Sequence, residues 1–486
     1  MISIKWIRAW VLCYLGFGAF SAFLAFGVGR FSSSLSTLAI YFGIFSAMAF
    51  LKPWRMRGLE NILLFLIVVS PFHFFIRYSS PFNFITTAWR EVLFVWVVFF
   101  FLVQIFSGVL RVRLSLLVCV VLFFNFWCVL VALKSGNSFI GSVLGVRDLA
   151  KYSLISVVTC SLCEKNPRYA IRIFYVLIIT CVLTVCINLA LYPVHGDMYF
   201  RDFFTPGKGT LTRSFGPIDL RRLESFMGSG PSHIGVFSAS ALGLIMGAII
   251  SRIGKVRSWI FLMIPVLFSI VLSVSISALA GVAFLFLTYF PLLRKAHFLY
   301  LVGAPLFVLL LYLLNIGMSE GVTKNVLGLQ DMNIYQYAAQ VFLGETYGYF
   351  WDASLQDPSI LVFGSGLGVV GDKSMLGIQV GEIHVLGSTD GGWAELVYQA
   401  GVFPLLGFFG LFSVVFISFI SASLDRRIYQ FWPVIPLTGA FFALFGSVHS
   451  LPWIRVGSDI NFWVLLGSIY AMLHLVISTR NRNRTL

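Results

Sequence analysis

Charge is what this sequence is short of. Only 11% of its 486 residues are Asp, Glu, Lys or Arg, against about 25% in a soluble domain. With so few, most helices have no solvated face, and the surrounding solvent must be lipid. Repeated strand-like segments of alternating polarity are also lacking, which argues against an outer-membrane barrel. The N-terminus has no short apolar core ending in a small-residue cleavage site, so no cleavable signal peptide is expected. Cysteine is sparse. The seven residues Cys13, Cys119, Cys128, Cys160, Cys163, Cys181 and Cys186 fall in or beside apolar spans, so no disulfide framework is implied. Cys160-x-x-Cys163 has redox spacing, but it lacks thioredoxin-like surroundings and reads as packing. No His, Cys or carboxylate cluster has metal-ligand spacing, and no metal or cofactor is expected.

What is present is apolar length: 59% of the chain is hydrophobic. Uncharged windows of roughly the 20 residues a transmembrane helix needs recur at 9–29, 31–51, 92–110, 114–133, 173–196, 225–251, 298–319, 396–424 and 460–479. The net charge of +15 suggests nucleic acid only until its placement is examined. Twenty of the 34 basic residues sit in short clusters between spans, such as Lys52/Arg55/Arg57, Arg252/Lys255/Arg257 and Arg480/Arg482/Arg484. Placing all of these clusters in the cytoplasm sets 20 basic residues against 3 acids inside, and 14 against 16 outside. The basic excess is therefore a topology signal, and no nucleic-acid partner is expected.

Strict alternation then predicts an all-α polytopic membrane protein of about 14 helices with both termini cytoplasmic. Residues 1–192 hold helices 1–7, of which the sixth, near 152–163, is short. Residues 193–232 form a first large outer loop, basic and turn-rich. Residues 233–316 hold helices 8–11. The uncharged run 258–293 is read as a hairpin turning near 273–277, because basic residues flank it on both sides. Residues 317–392 form a second large outer loop, acidic and aromatic, with surface-lying helices expected near 335–351. Residues 393–486 hold helices 12–14.

Outer arginines run against the positive-inside tendency, so each needs a partner or a purpose. They are Arg147, Arg201, Arg213, Arg221, Arg222 and Arg455. Arginine pairs bidentately with phosphate oxygens. Arg147 and Arg222, each just before a span that returns inward, are placed to meet a lipid diphosphate, with Arg213, Arg221 and His233 beside them. The alternative is pairing with Asp148, Asp219 and Glu224, or snorkelling to head groups.

The segment Arg222-Leu-Glu-Ser-Phe-Met-Gly-Ser-Gly-Pro-Ser-His-Ile-Gly235 resembles the entry motif of the O-antigen polymerase and O-antigen ligase families. Phe363-Gly-Ser-Gly-Leu-Gly368 is similar to their Gly-x-Gly-Leu-Gly element. Thr389-Asp-Gly-Gly-Trp-Ala-Glu-Leu-Val-Tyr-Gln-Ala-Gly401 is similar to their polar pair followed by a helix and a glycine. The three occur in the families' order and cover mainly residues 140–425. Ligases typically show His-Asn where this chain has Thr389-Asp390, which favours the polymerase-like members. Arginines that family members carry in the middle helices and before the aromatic loop helix have no counterpart at 273–278 or near Phe350-Trp351.

The resemblance implies a GT-C-like fold in the bacterial inner membrane, with a periplasmic site. The implied activity is metal-independent polymerisation of undecaprenyl-diphosphate-linked oligosaccharide repeat units, for O-antigen or a related surface polysaccharide. Membrane lipids and a chain-length regulator are candidate partners. Asp390 is the candidate base, with Glu395 and His384 behind it. A raised carboxylate pKa in a partly dry site would suit it, whereas a plain helix N-cap is the competing role. Trp351 and Trp393 are candidate sugar-stacking residues. Two other activities compete: a ligase moving the glycan to a lipid core or protein, and a flippase or exporter of lipid-linked sugars. A flippase predicts mid-membrane charges and balanced halves; this chain keeps its charges at span ends. A structural or assembly partner is the remaining non-enzymatic reading.

Overall fold

A computed structural model describes residues 3–26, 33–52, 54–73, 76, 88–134, 145–147, 149–192, 212–215, 218–221, 223, 231–273, 275–289, 292, 355, 357–367, 392–424, 426–447 and 459–482. Their regular elements are helices, apart from one two-stranded hairpin. The helices are α1 Ile4–Phe26, α2 Ser33–Leu51, α3 Met56–Val69, α4 Trp89–Phe106, α5 Leu116–Lys134, α6 Ser153–Lys165 and α7 Arg168–Leu191. Next come β1 Thr212–Phe215 and β2 Ile218–Arg221, followed by α8 Pro231–Ile250, α9 Val256–Ser273 and α10 Ile276–Tyr289. The chain closes with α11 Ser359–Phe363, α12 Gly392–Ala400, α13 Val402–Ser423, α14 Val434–Phe445 and α15 Asp459–Arg482.

Eight helices among the described residues are long and apolar enough to cross a membrane, and α10 and α14 are shorter apolar helices. Large apolar side chains stand exposed on the outer helices, among them Phe42, Phe99, Phe126, Phe261 and Ile417. In water such a surface would aggregate; on a bundle lacking charged faces it is the lipid contact. The protein is therefore a multi-pass helical membrane protein. The eleventh expected span and the surface helices near 335–351 lie outside the described residues.

Burial sorts the helices into a centre and a rim. In α8, 89% of the apolar window is buried, against 28% in α9 and 22% in α1. Small residues make the centre possible. A Cβ on Gly243 of α8 would stand 2.6 Å from the backbone of Gly439 and Ala440 in α14, so the two helices meet backbone to backbone. Tyr289 closes this junction from α10, donating its hydroxyl to the Gly243 and Ile435 carbonyls at 2.8 and 3.0 Å.

The hairpin expected within 258–293 is present: α9 ends at Ser273 and α10 begins at Ile276. The short sixth helix is also present, as α6. It spans only 13 residues, yet most of them are buried against α15 and other neighbours, so it needs no full lipid-facing length. Cys160 and Cys163 are buried, unbridged thiols within it.

The helix connections define two ends. Arg168, Arg252 and Trp6 line one cavity, so the starts of α1 and α7 and the end of α8 share a basic end. Glu60 of α3 accepts from Arg172 at 2.6 Å and from Asn166 at 3.0 Å at that same end. The starts of α4, α6 and α15 meet at the opposite end, through Arg90, Tyr152 and Asp459.

Candidate functional site

At the end opposite the basic cavity, the first residues of three helices converge. Arg90, on the first turn of α4, reaches Asp459, the first residue of α15, with one guanidinium nitrogen 3.0 and 3.3 Å from the two carboxylate oxygens. Both side chains are sealed from solvent, at 1% and 0% exposure. Asp459 Oδ1 also accepts the Ile460 backbone N–H at 2.9 Å, so the carboxylate sits at the N-terminus of α15 while it holds Arg90. The Arg90 guanidinium stands 5.6 Å from the centre of the Tyr152 ring, and Lys151 Nζ stands 5.5 Å from it.

The cluster is rich in charge. Arg90, Arg147, Glu91 and Asp459 all stand within electrostatic reach of Lys151. Burial pushes the Lys151 ammonium down to about 8, and nearby Arg90 adds to the fall. Lys151 is thus charged at neutral pH but weakly held there. The Arg90 Nε–H and the Tyr152 hydroxyl are buried with no hydrogen-bond partner among the described residues. Glu91 Oε2 is buried without a hydrogen-bond partner among the described residues too, so the cluster holds unanswered polar groups of both kinds. Tyr152 adopts a left-handed backbone (φ 65°), a conformation that costs a non-glycine residue and is worth keeping only where the turn has a use.

Helix α5 ties this cluster to a second one. Asn125 donates to the Ser153 hydroxyl at 2.8 Å, beside Tyr152. Two residues on, the Trp127 indole N–H donates to the Ala400 carbonyl at 2.8 Å, at the end of α12. Trp127 stacks nearly flat on Phe363, with centroids 5.3 Å apart and planes 2° apart. Lys134 covers Phe363 at 4.0 Å. Phe363 begins the Gly-Ser-Gly-Leu element, whose Ser365 N–H donates to the Tyr398 carbonyl at 2.7 Å. Gly364 (φ 71°) and Gly401 (φ 77°) hold left-handed backbones where the two segments touch. A Cβ at Gly401 would run into the Val362 carbonyl, so only glycine fits that crossing.

The sequence candidates are distributed unevenly. Arg147 lies within electrostatic reach of Lys151 and Tyr152. His233 is half-buried on the first turn of α8. Arg213 and Arg221 fall in β1 and β2, paired across the hairpin with Leu220 and Thr212 respectively. Leu223, just after β2, donates its N–H to the Leu272 carbonyl at 2.8 Å, which ties this segment to the end of α9. Glu395 and Trp393 belong to α12, which starts at Gly392, close to the expected helix start near Gly391. Asp390, His384, Arg222 and Trp351 lie outside the described residues.

Sequence reasoning missed Arg90 and Asp459. The signal was there: an arginine at the end of a span away from the basic clusters, and an acid opening the last span. Comparison with family models, with curated proteins and with solved structures finds no match to this chain.

Proposed function

We propose that this chain polymerises polyprenyl-diphosphate-linked oligosaccharide repeat units, at the periplasmic face of a bacterial inner membrane. The carrying observation is the bridge made by α5. Asn125 and Trp127 connect the cation-rich cluster around Lys151 to the joint between the Gly-Ser-Gly-Leu element and α12. In this reading both termini are cytoplasmic and the basic end faces the cytoplasm.

The reaction needs two tools in one place. A hydroxyl of the acceptor sugar attacks the anomeric carbon of the donor, forming the new glycosidic bond. The bond from that carbon to the carrier diphosphate breaks, and the diphosphate leaves with the electron pair. Asp390, just before α12, takes the hydroxyl proton. Arg147, Lys151 and Arg222 neutralise the departing diphosphate. Arg90, sealed against Asp459 through one guanidinium nitrogen, acts as the pedestal rather than the clamp.

Deleting the protein from a producing cell and comparing surface polysaccharide with the lipid-linked pool tests the proposal. Surface lipid bearing one repeat, with no ladder, is expected. Bare core with long polymer still on the carrier would instead indicate a ligase. Unflipped single units on the inner leaflet would indicate a flippase, and an unchanged ladder would exclude all three for that polymer.

A further inference from the structure

At the basic end, a cavity of about 970 Å³ opens between the starts of α1, α7 and α9 and the segment leading into α14. We propose that it binds the phosphate headgroup of an anionic phospholipid, independently of the chemistry at the opposite end. Arg168, Arg172 and Arg252 line it, together with Trp6, Trp259 and Trp432, and no acidic residue does among the described residues. Arg172 is committed to Glu60 at 2.6 Å. The guanidinium groups of Arg168 and Arg252 make no ion pair or hydrogen bond among the described residues and are exposed. Two arginines facing one hollow leave a positive charge that no described residue answers.

The surroundings choose lipid over a free anion. The cavity is far larger than an inorganic phosphate needs, and it lies between the ends of apolar helices. Indole rings favour the headgroup level of a bilayer, and here they are fixed in place. Trp259 donates its ring N–H to the Ile253 carbonyl. Trp432 packs edge-on against Phe174 at 5.2 Å and Tyr175 at 6.4 Å. The connection carrying Arg252 is rigid as well. Arg252 (φ 54°) and Gly254 (φ 64°) are both left-handed, and the Ile253 N–H closes back on the Ala248 carbonyl at 2.9 Å. Basic hollows between transmembrane helices are a recurring way of holding anionic headgroups.

Native mass spectrometry of the purified full chain tests this, with phosphatidylglycerol, phosphatidylcholine or inorganic phosphate added in turn. Wild type should retain phosphatidylglycerol over phosphatidylcholine, and millimolar inorganic phosphate should not displace it. The R168A/R252A double variant should lose about tenfold of the retained phosphatidylglycerol, and R168K/R252K should keep most of it. Both side chains are exposed, so helix content and elution volume should be unchanged in either variant. Equal retention of the two lipids, or undiminished retention in R168A/R252A, would overturn the proposal. Displacement by inorganic phosphate would assign the cavity to a soluble phosphate and overturn the choice of lipid.

Discussion

The two ends of the bundle each hold a buried carboxylate gripped by an arginine, but the settings are opposite. Arg90 and Asp459 are both shut away, whereas Arg172 keeps 31% of its side chain exposed while Glu60 keeps 1%. At the basic end, positive charge lines an open cavity. At the other end it is buried, beside Lys151, Tyr152 and Arg147. Desolvating two charges costs several kcal/mol per ion, roughly, before their attraction offsets it. A chain this poor in charge retains such a pair where geometry has to be fixed.

The largest effect should come from breaking the sealed pair. Arg90→Ala or Asp459→Ala leaves one charge buried alone and should cost about 3–5 kcal/mol. Yield of monodisperse protein after detergent extraction, and its melting temperature, report this. The R90M/D459L double variant should recover most of the stability, since neither charge then needs an answer. If the single variants are as stable as wild type, the pair is no pedestal.

Next in size is the glycine crossing. Gly401→Ala should cost about 1–3 kcal/mol, because it adds a Cβ to a left-handed residue already touching Val362. The cost should appear in polymer output before bulk folding, since the substitution separates the Gly-Ser-Gly-Leu element from α12. Normal ladder length in this variant would show that the joint has no part in the activity.

Lys151 sharpens the contrast through pH. Its pKa is depressed to about 8 in the folded chain, against about 10.4 for a free lysine. The unfolded chain therefore binds the extra proton first as pH falls, and stability declines between about 10.4 and 8 and then levels off. Lys151→Met should thus melt no lower than wild type at pH 7 while losing most activity. In wild type, activity should fall as pH rises through 8, with the charge on Lys151; a bound diphosphate would move that fall to higher pH. A Lys151→Met protein with full activity would remove Lys151 from the clamp.

The smallest effect is expected at the pair whose arginine is part-exposed. Glu60→Gln should cost about 1 kcal/mol or less, because Arg172 can turn to solvent. A loss equal to that of the sealed pair would erase the distinction between the ends.

Much of this architecture was legible in the chain. Basic residues on both sides of an uncharged run of 36 residues required the α9–α10 hairpin, and the turn falls between Ser273 and Ile276. The shortness of α6 was also readable, but not its reason, which is that tertiary packing rather than lipid covers it. The pairing of Arg90 with Asp459 joins residues 369 positions apart, and no local pattern encodes a partner at that distance. The contact of Ser365 with Tyr398 was foreshadowed only by two glycine-bearing motifs whose meeting had to come from the fold. Asp390, Arg222, His384 and Trp351 were read from motif position alone, and their chemistry rests on that position.

The most direct measurement is polymerisation by the purified chain in lipid vesicles, supplied only with polyprenyl-diphosphate-linked repeat units. A polymerase should yield a ladder of carrier-linked polymer and release free polyprenyl diphosphate, with both products abolished in a folded Asp390→Asn variant. Folded wild-type protein that leaves the repeat units unchanged, or an Asp390→Asn variant with the same ladder, would contradict the proposed chemistry.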